Sequence, residues 1–436
     1  MDIYDLEAAF GAVDVTTEAM RSAISEWFAA YYDRASTDDS DPCQRVAYTV
    51  VGKLIKTIFG EYAPTADKGL GKQVLAALEP VKEEAVQLAL VGGECYLRPV
   101  LQNGQLCFLT VPRDRILIFA RDMQGVPTDV GCAARIRRGD RYFTLLERRT
   151  VDSRGYLTVK NQLFASRRSD ALGNPVALSS LPEYEKLSAA YTYAKPVGSV
   201  GLVRLKTPML NCVDGSADGV SVYSAAMGLI RAVDENEAML RGEFQRGQSR
   251  ILVSRDLLDR DKKLSDHLFV GLDEDPDRVG ITVFAPQLRQ QAFLERKQEY
   301  LRNIESVVGL KRGMLSNISE SHRTATEIAA SAGDFNLTVM DFQRMWVTAL
   351  QDALQLCGVL AQLYSLPEQE PGTISVDWGN GVLYDEDAQW ETYRLMVADG
   401  LLRPEIALAW RFNLPMQTEE DLAAIRKKYM PEVTNG

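Results

Sequence analysis

The stretch from residue 309 to residue 360 constrains the fold more than any other part of the chain. It opens with a Gly- and Ser-punctuated loop, Gly309-Leu-Lys-Arg-Gly-Met-Leu-Ser-Asn-Ile-Ser-Glu-Ser321. A helix start follows. Thr324 is placed to cap it with its hydroxyl, and Glu327, three residues on, reaches back to the cap's own N–H. Apolar residues then recur at Phe335, Val339, Phe342, Trp346, Ala349, Ala353, Leu356 and Leu360. Steps of three and four put them on one helical face. The pattern runs about three times the roughly 11–12 residues of an average helix. Such a helix would protrude from an isolated globule, whereas in an assembly it can act as a strut.

The rest of the composition excludes several classes of function. The chain has 436 residues, 46% hydrophobic and 25% charged, as a folded protein of two or three domains would. Its formal charge is −11 and its pI is near 5.0, which does not suit a protein that grips DNA by neutralising phosphates. The start, Met1-Asp-Ile-Tyr-Asp-Leu-Glu7, carries acids where a signal peptide needs bases, and no run approaches the ~20 apolar residues of a membrane span. The six cysteines (Cys43, Cys95, Cys107, Cys132, Cys212, Cys357) are scattered with no C-x-x-C pair, so reduced, mostly buried thiols are expected.

Only two histidines exist, His267 and His322. That removes most zinc chemistry and the commonest general base. There is no Gly-x-Ser-x-Gly elbow. Gly69-Leu-Gly-Lys-Gln73 is half a phosphate loop, lacking the earlier Gly (Ala66 stands there) and the Ser or Thr after Lys72. It reads as a loop before a helix starting at Val74. The acids Asp273, Glu274 and Asp275 can in principle hold a divalent ion, but they sit in a charged, Pro-broken run without His, which favours a solvated loop. No enzyme, cofactor or metal is expected.

Periodicity predicts helices over residues 20–32, with Ile24, Trp27, Phe28 and Tyr31 on one face, 44–59 and 73–90. A polar linker is expected over 36–42. Alternating residues then predict an antiparallel meander with strands at 94–101, 105–111, 115–119, 130–137, 141–149 and 156–163, and an Asn103-Gly104 turn. Arg135, Arg137, Arg138, Arg148 and Arg149 are expected on solvated strand faces. A boundary is expected at 211–219. Helices follow over 222–244 and 290–308. Between them lie short strands at 250–253 and 280–284 around a charged segment, able to pair and close an insertion. A strand at 373–378 and helices at 386–398, 404–410 and 418–429 complete the chain.

This order resembles the portal proteins of long-tailed bacteriophages, in the branch common among phages and prophages of Gram-positive hosts. The residues that carry the resemblance are Ile24-Ser-Glu-Trp27 with Tyr31, Asn161-Gln-Leu-Phe164, and Gly219-Val-Ser221 opening a helix that passes through Asp234-Glu-Asn-Glu237. To these are added Arg250-Ile-Leu-Val253, Arg323-Thr-Ala-Thr-Glu-Ile328 and Gly400-Leu-Leu402. The Thr-Ala-Thr-Glu start after a Gly/Ser loop is the most specific.

The resemblance implies an α+β, portal-type fold. Its parts would be an α/β wing (1–218), stem helix 1 (219–244), a small α/β clip (245–289) and stem helix 2 (290–308). A tunnel loop (309–321), a long kinked helix (322–364), and a wing-return strand with helical C-terminal crown (365–436) would follow. It also implies a homo-dodecameric ring at one capsid vertex, through which double-stranded DNA passes without sequence specificity. Implied partners are the terminase large subunit, a head–tail adaptor, scaffold and the major capsid protein, with no membrane. The particle would be found in the virion, and in host cytoplasm during assembly. Lys311, Arg312, Gly313 and Asn317 would face DNA, and Arg255, Arg260, Lys262 and Lys263 would face partners at the clip. A solvated basic pair at a helix C-terminus is the plainer reading of Lys311 and Arg312. The alternative function is another ring-forming phage head assembly or adaptor protein without a DNA channel.

Overall fold

A computed structural model describes residues 3–32, 42–102, 104–247, 250–254, 269–272, 282–284, 287–317, 325–367, 370–379, 386–412, 414 and 418–430. The chain divides into two compact units. One comprises Met1–Phe59 and Pro64–Val376, the other Gly60–Ala63 and Asp377–Gly436. Helices and sheets are segregated along the chain, as an α+β reading requires.

The larger unit begins with α1 (Ile3–Phe10), which the periodicity did not reveal, then α2 (Glu18–Tyr32) and α3 (Val46–Ile58). Met20, Ile24, Trp27, Phe28 and Tyr31 of α2 are buried on one face, as their spacing requires. The single helix expected over 73–90 is two, α4 (Gly69–Leu78) and α5 (Lys82–Gly92). Pro80 separates them, because it has no N–H to donate and its ring clashes with the preceding turn. The half phosphate loop is not a loop either: α4 starts at Gly69 and contains it. Gly71 sits where α4 passes Ala66, and a Cβ there would meet the Ala66 methyl at 3.0 Å. A strand missed in the sequence, β1 (Ala63–Ala66), pairs with β14 (Ile374–Asp377), the Thr65 and Ser375 hydroxyls lying 2.9 Å apart.

The expected meander is present but forms two sheets. β2 (Glu94–Gln102) and β3 (Gln105–Pro112) make a hairpin, and β10 (Val203–Lys206) joins the other edge of β2. A 3₁₀ turn at Arg113–Arg115, entered from Pro112, then diverts the chain into a second antiparallel sheet. This runs β4 (Ile116–Arg121), β5 (Pro127–Arg138), β6 (Arg141–Val151), β7 (Leu157–Ser166) and β8 (Asn174–Val176), with β9 (Ala190–Thr192) also on β7. Tyr96 of the first sheet packs with Ile116, Ile118 and Val130 of the second and with Val200 and Leu202, so one core lies between the sheets. Phe10 of α1 covers Phe119 and Leu146.

Arg148 and Arg149 correct the expectation of solvated strand faces. Adjacent strand residues point to opposite faces, yet both find carboxylates. Arg148 chelates Asp129 at 2.6 and 3.1 Å, and the buried Arg149 donates to Glu147 at 2.6 Å. A buried guanidinium is tolerated only when so paired. Arg135 is half-buried and donates to the Thr144 hydroxyl and the Ala171 carbonyl, both at 2.9 Å. Arg137 and Arg138 are exposed, as expected.

A 3₁₀ turn at Ser224–Ala226 leads into α6 (Met227–Arg246). A three-stranded sheet follows, with β11 (Arg250–Ser254) at its centre. It is parallel to β12 (Phe269–Leu272) and antiparallel to β13 (Thr282–Phe284), with Ile251 opposite Val283. The two expected strands do pair, and β12 was not foreseen. The chain returns along α7 (Gln290–Val308). Asn236 of α6 donates to the Phe293 carbonyl at 3.0 Å, and ion pairs Lys297–Glu237 (3.1 Å) and Arg289–Glu243 (2.9 Å) join the same two helices. The long helix α8 (Ala325–Leu363) is unbroken and 39 residues in length. Its expected stripe is buried from Phe335 to Leu356, and Trp346 meets Phe59 of the α3 end edge-on at 5.7 Å.

In the smaller unit, α9 (Glu386–Ala398), α10 (Pro404–Arg411) and α11 (Glu419–Tyr429) follow in order. Gly400 ends the first stretch in the left-handed region (φ 74°). Pro404 opens α10 at a position where its missing N–H costs nothing. Thr418 caps α11 in a reciprocal box with Asp421. Tyr393 and Trp410 meet edge-on at 4.9 Å, and Arg426 pairs with Glu405 at 2.5 Å. Arg255, Arg260, Lys262, Lys263, Asn103, His267, His322, Thr324, the Asp273–Asp275 acids and most of the 36–42 linker lie outside the described residues.

Candidate functional site

The loop that follows α7 is built by one side chain. Gly309 ends the helix in the left-handed conformation (φ 78°), and the Gly309 and Leu310 amides both return to the Glu305 carbonyl, the latter at 2.8 Å. A glycine is needed there for its φ and for space, since a Cβ would stand 2.5 Å from Thr338 Oγ1 on α8. Gly313 takes a second left-handed turn (φ 92°). The chain then doubles back along α7. The amides of Gly313, Leu315 and Ser316 donate to Glu305 Oε1 at 3.0, 2.6 and 2.8 Å, and the Ser316 hydroxyl donates to Oε2 at 2.9 Å. The Asn317 amide donates to Gln298 Oε1 at 2.7 Å. Gln298 lies about 10 Å down the helix from Glu305 at 1.5 Å per residue. Residues 310–312 are therefore the turn beyond the helix end, with Gly309 and Gly313 as its two corners.

The expected residues are brought together in part. Lys311 and Arg312 share that turn and are exposed, and among the described residues neither makes an ion pair. Gly313 is a corner of the loop, and Asn317 is exposed at its return. The glycines set backbone angles that Glu305 then holds. Sequence reading missed Glu305 itself. Its signal was an acid in the last turn of a helix, against the dipole, four residues before a glycine.

A second constellation fixes the entry to α6. Glu94 is fully buried at the start of β2, where its carboxylate contacts the Arg204 guanidinium, accepts from Tyr96 Oη at 2.6 Å and accepts from the Gly219 amide at 2.8 Å. Arg113 bridges to Asp218 at 2.8 Å and to the Thr16 hydroxyl at 2.8 Å, and Arg121 reaches the same Asp218 oxygen at 2.6 Å. Burial alone would push the Glu94 carboxyl up. The Arg204 and Arg113 charges outweigh it and hold it down to about 2. The segment 211–219, expected as a boundary, is thus tied to the first sheet. Gly219 packs against Gly93 so closely that a Cβ would lie 2.2 Å from the Gly93 carbonyl oxygen.

These groups position backbone. Among the described residues no group of His, Cys, Asp and Glu could hold a metal ion. No described helix is long and apolar enough to cross a membrane. None of the six cysteines is in a disulfide: Cys95 and Cys357 are buried, Cys43, Cys107 and Cys132 are half-buried, and Cys212 is exposed. Burial pushes the Cys132 and Cys357 thiols up to about 12, away from reactivity. A family model described as phage portal protein, SPP1 Gp6-like, matches residues 142–429, more than half of the chain. No curated protein matches it.

Proposed function

The chain belongs to the phage portal protein family, and on that premise we propose that it forms a dodecameric ring whose axial channel is narrowed by the loop after α7. A portal is a structural component of the phage head, placed at a capsid vertex for DNA packaging. The proposal adds how this chain would do it. The antiparallel pair α6 and α7 is the stem. The small sheet of β11, β12 and β13, with the charged segment around it, is the clip, where Arg255, Arg260, Lys262 and Lys263 meet the terminase large subunit and later a head–tail adaptor. The two N-terminal sheets and their helices are the wing, and α9 to α11 are the crown.

The observation that carries this reading is the loop. It stands beyond the end of α7 and displays two exposed cations, Lys311 and Arg312, on a chain of net charge −11. A channel through which duplex DNA slides must not bind it tightly. DNA carries one charge per ~1.7 Å of axis, and an acidic ring repels it. A single circle of cations then steadies the duplex by a weak, salt-sensitive contact, while the motor that hydrolyses nucleotide is a separate protein.

Native mass spectrometry of the purified particle, with negative-stain images, tests the proposal. A closed ring near twelve chains, pierced and with a wide rim on a narrow stem, is expected. A ring without a channel would instead mark an adaptor. A strict monomer or two-fold dimer at micromolar concentration, with scaffold present, would contradict ring formation.

A further inference from the structure

We propose that Glu305 is a positioning residue that sets where Lys311 and Arg312 stand, so that the loop meets DNA as a preformed hook. The proposal rests on the reading of this loop as the channel constriction. Two general preferences are set aside at Glu305. A carboxylate is disfavoured in the last turn of a helix, where the dipole is negative. It is also rarely buried without a cationic partner, yet this side chain is 1% exposed and, among the described residues, no Lys or Arg pairs with it. Local rules broken together in this way mark a site where position matters.

What offsets both costs is the loop itself. Three amides and one hydroxyl converge on the two carboxylate oxygens, and bonds to an ionised acceptor are roughly twice as strong as neutral ones. Together with the Asn317 amide on Gln298, they hold the chain after Gly313 against α7. The free span is then Leu310 to Arg312, and Leu310 is buried. Lys311 and Arg312 are left as the two residues whose side chains project. Twelve such hooks would present their cations at one radius. A loop held only by its glycines would spread them over many.

Residue-resolved hydrogen exchange on the assembled ring tests the hold directly. The amides of Gly313, Leu315 and Ser316 should exchange at least tenfold more slowly than that of Arg312. Glu305→Ala should erase this difference. Glu305→Gln keeps a carbonyl oxygen for the three amides and should retain much of it. Equal protection in wild type and Glu305→Ala would overturn the proposal. If Glu305→Ala fails to assemble, Glu305→Leu, which keeps side-chain volume without an acceptor for the three amides, carries the same comparison, and unchanged protection in it is the contrary result.

The consequence is read in assembled heads. Glu305→Ala should shorten packaged DNA as Lys311→Ala with Arg312→Ala does. Combining all three should add nothing, since both act through the same cations. Loosened exchange with full-length DNA, while the double variant packages short, would overturn the positioning role. Full-length DNA in the double variant would instead overturn the reading of the loop, and the exchange result would still decide whether Glu305 holds it.

Discussion

Glu94 shows what a single buried charge does in the larger unit. Its carboxyl is held to about 2 by Arg204 and Arg113, below the 4.5 it would have unfolded. A depressed carboxyl adds stability that is present above the unfolded value and is lost as pH falls toward the folded one. Thermal stability of the larger unit should therefore drop between about pH 4.5 and pH 2, by an amount on the order of 3 kcal/mol from this group. Glu94→Gln should flatten that part of the profile. At neutral pH it should destabilise by about 3–5 kcal/mol, because it leaves the largely buried Arg204 guanidinium without its counter-charge. Calorimetry over that pH range checks both. Little of this was legible beforehand. Arg113, Arg204 and Asp218 stand far from Glu94 in sequence, and nothing local pairs them. Arg148 misled for the same reason, since its partner Asp129 lies on the neighbouring strand; Arg149 has Glu147 two residues back on its own face, and the distant Val200 and Gly201 carbonyls are what show that this face is covered.

At the scale of elements, strong periodicity was reliable and punctuation less so. The α8 stripe and the helices expected over 290–308 and 418–429 stand where their spacing places them. Pro80 breaks an apolar pattern that continues on both sides of it, so spacing alone reads one helix where there are two. The strands β1 and β12 were not legible, because each is four residues long and depends on a distant partner. Trp346 is fully buried on α8, and its indole N–H has no hydrogen-bond partner among the described residues. Trp346→Ala should cost about 3–5 kcal/mol in denaturant unfolding. Trp346→Phe should cost far less, since it keeps most of the volume and removes the unpaired donor. In the loop, Lys311→Ala with Arg312→Ala should leave thermal stability within about 0.5 kcal/mol, because both side chains are exposed. Packaged DNA in heads assembled with that variant should nevertheless be shorter or less well retained. A bulky residue at Gly313 should do more harm than one at Asn317, because Gly313 needs its left-handed backbone (φ 92°) as well as space.

For the whole molecule, family membership was legible from a few ordered motifs, whereas the loop's architecture was not. The sequence showed a Gly/Ser loop with two cations. It did not show that an acid inside the preceding helix gathers the loop amides, because hydrogen bonds between a side chain and a backbone eight to eleven residues on leave no periodic trace. The charge reversals Lys262→Glu and Lys263→Glu should leave ring formation intact and weaken docking of the motor or adaptor, measured by co-sedimentation with each. Dissolved rings with normal docking of the remainder would remove those residues from a partner-facing role. The central claim is that the loop after α7 forms the narrowest circle of an open channel. An electron cryo-microscopy map of the assembled particle tests it most directly. The account predicts a closed ring with residues 310–312 of every copy nearest the axis and Glu305 behind them. A closed axis, or a ring with this loop on its outer rim, would contradict it.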